Sequence, residues 1–439
     1  MGASVHNLQL AENFRITASN IVEIVSTLAQ SENATFERWN QWIELSGQQR
    51  LLLGCYILEY QQGTLLARTT RAPAVSLSSF DLPLPAHSTL WDAATPSDWA
   101  ISAQQYAHLP AYVYEVDPER SIGPFDSFQS TVLIASRYNT TSPALPPIDH
   151  LLDNSPVTKH KLLIAKLIQV TPIRALLAVS GESWILSEKV PSPQAFLGFK
   201  GVLKTWVNGL WIPSNEPQIQ SAKESLKLAI EILQHALLSS THDLHLEIGA
   251  DMGLYFAVLV IWTVTVAANS RINSPQTQPQ PQRFQTRSPS SHYPTTPTHF
   301  STSTPQPSQS PNPAHPTSIG LVPQSHTSSA LPSTSTSMLH SEITMTAMNF
   351  LSNALVELEL LGTVAQWPRN VVQWQHGCAA LLRWVKMRLR SGTLKARDSV
   401  IGPTSAGTGL GGDGLGELLD GVIGVIEKIL NRGYEGWSL

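Results

Sequence analysis

The sequence predicts an all-α protein, an irregular helical bundle with a long disordered insert. Apolar residues recur at steps of three and four on both sides of the insert, and alternating strand patterns of useful length are missing. The insert is a compositional break: from residue 273 to 338 the chain is built largely from Pro, Ser, Thr, Gln and His, without a single Asp or Glu. Such a stretch buries too little apolar surface to offset the entropy of ordering it. The predicted organisation is therefore 1–272 as the first part of a helical domain, 273–338 as the insert, and 339–439 as the C-terminal part of the same domain.

The elements follow in order. Phe14, Ala18, Ile21, Val25 and Leu28 mark one face of a first helix. Trp39 and Trp42 stand three residues apart, which places both on one buried face. Arg50 follows, with its guanidinium expected to pair a carboxylate at the edge of that face and Glu44 close by. The run LLLGCYIL, with Leu51, Leu52, Cys55 and Leu58, is dense enough to predict burial nearly all round. Between Thr69 and Pro156 prolines and turn residues predict a long crossing segment with short helical pieces at best, tied to the bundle by Trp91 and Trp99.

Ala222, Leu226, Ala229, Leu233 and Leu237 predict an amphipathic helix, with Ser221 and Glu224 as its capping box. Met252 to Ala268 is free of charge. It is shorter than the roughly 20 residues of a membrane span and carries Thr263 and Thr265, so it is read as a buried core helix, a membrane-associated protein being the alternative. Within the insert, Ser288, Thr296 and Ser310 each precede a proline, as proline-directed phosphorylation requires and as any such linker also shows. After it, Ile343, Ala347, Leu351, Ala354, Leu358 and Leu361 predict a helix. Val371, Trp374, Cys378, Leu381, Val385 and Leu389 predict another behind Pro368, and Leu415, Leu418, Val422, Ile426 and Ile429 a last one.

Composition excludes several functions. Hydrophobic residues reach 42% of 439, enough for a sizeable core, while the net charge of −4 argues against a basic nucleic-acid-coating protein. Cys55 and Cys378 cannot build a zinc finger, a thiolate cluster or a disulfide framework, which points to an intracellular, reducing environment. The N-terminus lacks the basic start and apolar stretch of a signal peptide, and His6 stands where a myristoylation signal has Ser or Thr.

Signatures of catalysis fail in turn. H-E-x-x-H, G-x-S-x-G and the phosphate-cradling G-x-x-x-x-G-K-[ST] do not occur. His242 and His245 are read as a polar turn. Gly409, Gly411 and Gly414 match G-x-G-x-x-G without the strand a dinucleotide site needs, and are read as a linker. An active site around His235, His242 and Glu247 would lack a paired acid and base. The chain is read as no enzyme and as holding no cofactor. A basic cluster, Arg383, Lys386, Arg388 and Arg390 with Lys395 and Arg397, is either a phosphate-contacting or nuclear-import patch or a solvated helix face.

The segment WNQWIE (Trp39 to Glu44), followed by QRLLLGCYILEYQQ (Gln49 to Gln62), resembles the regulatory domain of fungal-specific transcription factors. DLPLP (Asp81 to Pro85), LWDA (Leu90 to Ala93) and Trp99 are similar to that family's next elements. GELLDGV (Gly416 to Val422) with GYEGW (Gly433 to Trp437) resembles the end of members that carry two-Cys two-His fingers. The resemblance implies an all-helical regulatory portion of a nuclear RNA polymerase II transcription factor, with the transcriptional machinery or co-regulator proteins as partners and no membrane. A homo- or heterodimer stays open. DNA would be reached through a missing or partner-supplied module, and zinc belongs to that module, which this chain lacks. The implied core is Trp39, Trp42, Arg50, Leu52, Cys55, Trp91 and Trp99.

Overall fold

The computed structural model describes residues 16, 19–24, 36–65, 82–119, 124–138, 147–186, 188–212, 217–239, 248–273, 334–361, 367–400 and 417–437. These are overwhelmingly helical, and the protein is all-α. The insert, most of the first predicted helix, the paired histidines His242 and His245 with Glu247, and the Gly409 to Gly414 stretch lie outside the described residues.

The long helix α1 (Phe36–Leu65) opens the bundle, and two short helices follow, α2 (Ser88–Trp91) and α3 (Pro96–Gln105). Then come α4 (Ser127–Tyr138), α5 (Pro156–Val170), α6 (Ile173–Ser180) and α7 (Pro193–Asn208). A two-residue hairpin, β1 (Trp184–Ile185) with β2 (Glu188–Lys189), lies between α6 and α7. The C-terminal half adds α8 (Pro217–Leu238), α9 (Ile248–Asn273), α10 (Thr334–Glu359), α11 (Val371–Val400) and α12 (Glu417–Arg432).

Three starts share one local chemistry. Thr95, Ser155 and Ser192 accept the amides of Asp98, Thr158 and Ala195, and in each case a proline stands at the first helical position. The side-chain oxygen satisfies an amide the helix cannot, and proline gives up none that it needs. The crossing segment between Thr69 and Pro156 is accordingly more helical than its prolines suggested. In it α4 buries Val132, Leu133, Ile134 and Ala135, and at its start the amides of Asp126 and Gln129 each donate to the other's side-chain oxygen (3.1 and 2.8 Å).

Among the described residues the core falls into three clusters. The largest wraps α9, buried on every side from Met252 to Ala268 and packed by α5, α6, α7, α8, α11 and α1. This helix is long and apolar enough to cross a membrane, and 94% of its most apolar window is buried inside the protein. Thr263 and Thr265 donate their hydroxyls back to Leu259 and Ile261, so neither leaves a polar group unpaired there. The second cluster joins Leu53 and Tyr56 of α1 to Leu82, Leu84 and α4. The third holds Trp42, Trp99, Leu90 and Ile21.

Two helix crossings depend on glycine. A Cβ on Gly253 would stand 2.2 Å from Ile164 Cδ1, and one on Gly377 2.0 Å from Phe350 Cδ2. The α8, α10, α11 and α12 stripes read from the sequence face inward among the described residues, with Ile343, Leu237, Leu361 and Leu418 half-buried at the margins.

Several expectations are corrected. Helix α1 is not buried all round: Leu51 is 71% exposed, Leu58 54%, and Cys55 also faces solvent. The run lies on a two-faced helix whose inner face is Trp42, Ser46, Gln49, Leu53 and Tyr56. Trp91 is 39% exposed rather than core. Helix α8 starts at Pro217, which puts Ser221 and Glu224 inside it, where they cannot cap its start.

Candidate functional site

Trp42 and Trp99 are fully buried and meet at 5.6 Å between ring centroids. Trp39 is half-buried against them, Arg50 is half-buried, and Leu52 is half-buried against the second cluster. The Arg50 guanidinium donates to the Ala86 carbonyl (3.3 Å) and lies over the rings of Trp91 (4.8 Å) and Phe128 (5.1 Å). Desolvation lowers its pKa, while the carboxylates of Asp126 and Asp92 act against that. Thus Trp91 keeps its tie to the bundle, as the exposed lid of a cation–π stack. Gln129 donates to the Pro85 carbonyl (2.8 Å), and the Ser88 amide donates to Asp126 (2.6 Å). The indole nitrogens of Trp39, Trp42 and Trp99 are buried without a hydrogen-bond partner. This is a packing site, bordered by the His87 imidazole, whose Nδ1 lies 3.0 Å from Thr89 Oγ1.

The basic cluster does not form one patch. Lys386 (2.7 Å) and Arg390 (3.0 Å) both pair with Glu427 of α12, and these bonds hold the Glu427 carboxyl below its ordinary range. Arg383 is exposed. Arg388 is half-buried on another face of α11, its pKa lowered by burial against the pull of Asp251. The side chains of Lys395 and Arg397 lie outside the described residues. The sequence could not show Glu427 arriving from α12 to pair with Lys386 and Arg390.

Two histidines meet where α5 packs on α8. His160 is fully buried, its ring stacked 5.7 Å from His235, and the Nδ1 atoms of both rings are buried without a partner. His160 Nε2 lies 3.5 Å from the Ala250 carbonyl. Burial, the neighbouring His235 and then Arg388 push its imidazole down to about 4, with the Ala250 carbonyl opposing. The His160 ring is accordingly neutral at physiological pH. Among the described residues no group of three or more His, Cys, Asp or Glu is placed to hold a metal ion.

Sequence reasoning missed a cleft at the junction of the first two core clusters. Helices α1, α4 and α5 frame a narrow slot of about 40 Å³, with Ile57, Tyr60, Ile134, Ile164 and Ile168 as walls. Gln61, Thr64, Thr131 and Lys161 supply its polar atoms, and Gly249, in the first turn of α9, closes one side. Thr64 and Ile168 are shared with a more open groove of about 430 Å³ that runs on past Ile173, Arg174, Phe199 and Val202. Its residues come from four helices, and only their packing brings them together.

Comparison of the chain with protein-family models, with curated proteins and with solved structures finds no match.

Proposed function

We propose that this chain is the regulatory, non-DNA-reading portion of a fungal RNA polymerase II transcription factor. It works in the nucleus through an effector or a protein partner and catalyses no reaction. One observation carries the reading: the N-terminal blocks that resemble the family meet in adjoining core clusters, with WNQWIE, LWDA and Trp99 sharing one of them. Trp42 of WNQWIE stacks on Trp99, and Leu90 of LWDA joins the same cluster. Arg50 spans from α1 to Ala86 and Trp91, and the Leu82 and Leu84 side chains of DLPLP pack beneath α4. At the other end, Trp437 of GYEGW packs on Trp262 of α9. Blocks that resemble a family in sequence order and also share contacts support a common core better than scattered similarity does.

In this reading the bundle is a rigid platform, and the insert is a tether or a segment that contacts co-regulators. DNA is reached through a module supplied elsewhere, and zinc belongs to that module. The burial of α9 supports a core role for it over membrane association.

The test is a fusion of the full chain to a heterologous DNA-binding domain, expressed in a fungal host with a matching reporter. A severalfold change in reporter output, up or down, is expected. Unchanged output from a fusion that is nuclear and intact overturns the reading.

A further inference from the structure

We infer that the open groove among α1, α5, α6 and α7, together with the outward face of α7 beside it, docks an acidic amphipathic helix of a partner protein. The inference stands on this surface alone and holds whether or not the chain regulates transcription. The groove, of about 430 Å³, is walled by Ile168, Pro172, Ile173, Ala175, Phe199 and Val202, and no Asp or Glu lines it among the described residues. Val202 also belongs to the outward face of α7, where it is 52% exposed and Leu197 65%. At about 3.6 residues per turn, Gly198 and Gly201 lie between Val202 on the groove side and Leu197 with Lys204 on the other. A Cβ on either glycine would meet nothing within 4 Å, so neither is demanded by a neighbour inside the fold, unlike Gly253 and Gly377. An incoming helix can approach closely there while its apolar side chains reach past Val202 into the groove.

Charge selects the partner. From Pro156 to Asn208, which takes in α5, α6, the hairpin and α7, the chain has seven Lys or Arg and two Asp or Glu, within a protein of net charge −4. Both of those acids are already engaged, Glu182 by Lys428 and Arg432, and Glu188 by Arg174. Helix α7 itself has no acidic residue. Its Lys204 is exposed and its Lys200 half-buried, and neither pairs with a carboxylate among the described residues. Lys200 instead donates to the Trp437 carbonyl (3.4 Å) and lies 5.5 Å over the Phe196 ring. The chain that follows α1, from 66 to 81, carries Arg68, Arg71 and Asp81, so the sequence on this side adds no net acid. Apolar walls beside unopposed cations suit a helix with Leu or Phe along one face and carboxylates along the other.

The experiment follows the fluorescence anisotropy of a labelled helical peptide of about 16 residues, with Leu and Phe on one face and Glu on the other, titrated with the full chain. Its twin carries Lys in place of every Glu. The acidic peptide is expected to bind saturably and about tenfold more tightly than the twin. Lys204→Glu should weaken the acidic peptide and tighten the twin, each about threefold, a reversal that loss of folding cannot produce. Gly201→Gln should weaken both peptides, because its side chain stands in the open space over α7. Circular dichroism checks that each variant is folded. Absence of saturable binding, equal affinity for the two peptides, or binding untouched by Gly201→Gln would each overturn the assignment. Retention of the chain by vesicles of phosphatidylglycerol and phosphatidylcholine, with no binding of the acidic peptide, would assign the face to a membrane surface instead.

Discussion

Trp437 meets Trp262 edge to face, with ring centroids 4.7 Å apart and planes at 82°. The contact brings the GYEGW segment onto the most buried helix of the bundle. Around it, Trp437 Nε1 donates to the Gly433 carbonyl (2.9 Å) and the Arg432 guanidinium lies 4.5 Å over the ring. Arg432 and Lys428 in turn pair with Glu182, beside the β1–β2 hairpin. One aromatic residue thus joins α9, α12 and the hairpin. Trp437→Ala should cost about 3–5 kcal/mol, the usual effect of emptying a buried aromatic site. Urea denaturation measures it, and an unshifted midpoint would show that the segment is dispensable.

The crossing of α10 and α11 is set by what Gly377 lacks. Glycine inside a helix ordinarily costs about 1 kcal/mol relative to alanine. Here the added methyl would strike the Phe350 ring at 2.0 Å. Gly377→Ala is therefore expected to destabilise by about 1–3 kcal/mol. Gly424 on α12 faces open space, and Gly424→Ala should stabilise by up to about 1 kcal/mol. Opposite signs in paired thermal melts are the signature. Equal signs would remove the steric account.

Acid should loosen the seam between α5 and α8. His160 ordinarily titrates near 6.5 and is held at about 4 in the fold, with His235 lowered in the same direction by burial and Lys159. Between those values the unfolded chain takes up a proton that the folded chain refuses. The contribution of His160 is thus complete above about pH 6.5 and drains away as pH falls towards 4, by about 3 kcal/mol in all. Folding stability measured at about pH 7 and about pH 4.5 should differ less in His160→Gln than in the unaltered chain. An identical pH slope in the variant would place the acid sensitivity elsewhere.

The two thiols should behave unlike one another. Cys55 is exposed on the outer face of α1, and Cys378 is buried, with its thiol pushed up to about 12 by desolvation against hydrogen bonds involving Tyr434 and Thr265. The thiolate is the reactive form, so Cys378 is inert while the core is closed. A water-soluble disulfide reagent should label one thiol in the native protein and two after denaturation. Immediate release of two would mean that the core around Cys378 opens readily.

What the sequence made legible follows from the range of each signal. Apolar spacing is local, so the inward stripes of α8, α10 and α11 could be read directly, and the charge-free run of α9 could be read as core. Exposure on α1 could not: Leu51, Cys55 and Leu58 are as apolar as Leu53 and Tyr56, and the choice of face is made by α4 and α9. In the crossing segment, prolines were taken as breaks. Thr95–Pro96 and Ser155–Pro156 are instead starts, a cap followed by a residue that needs no amide partner. Of the sites, the pairing of Trp42 with Trp99 was foreshadowed by residue type. The cleft was not, because Ile57, Ile134 and Ile164 are ordinary core residues one at a time.

The large cluster takes α5 to α9 from before the insert and α10 to α12 from after it, with α9 against α11 and α10 against α8. The connection across 274–333 therefore joins two pieces that already grip each other. Scission there would convert an intramolecular association into a bimolecular one and cost the effective concentration of a tether, while leaving every described packing contact in place. The chain is in this sense a heterodimer written as one polypeptide. Its two pieces, coexpressed, should purify together, and each alone would present a half-core that has lost its complement.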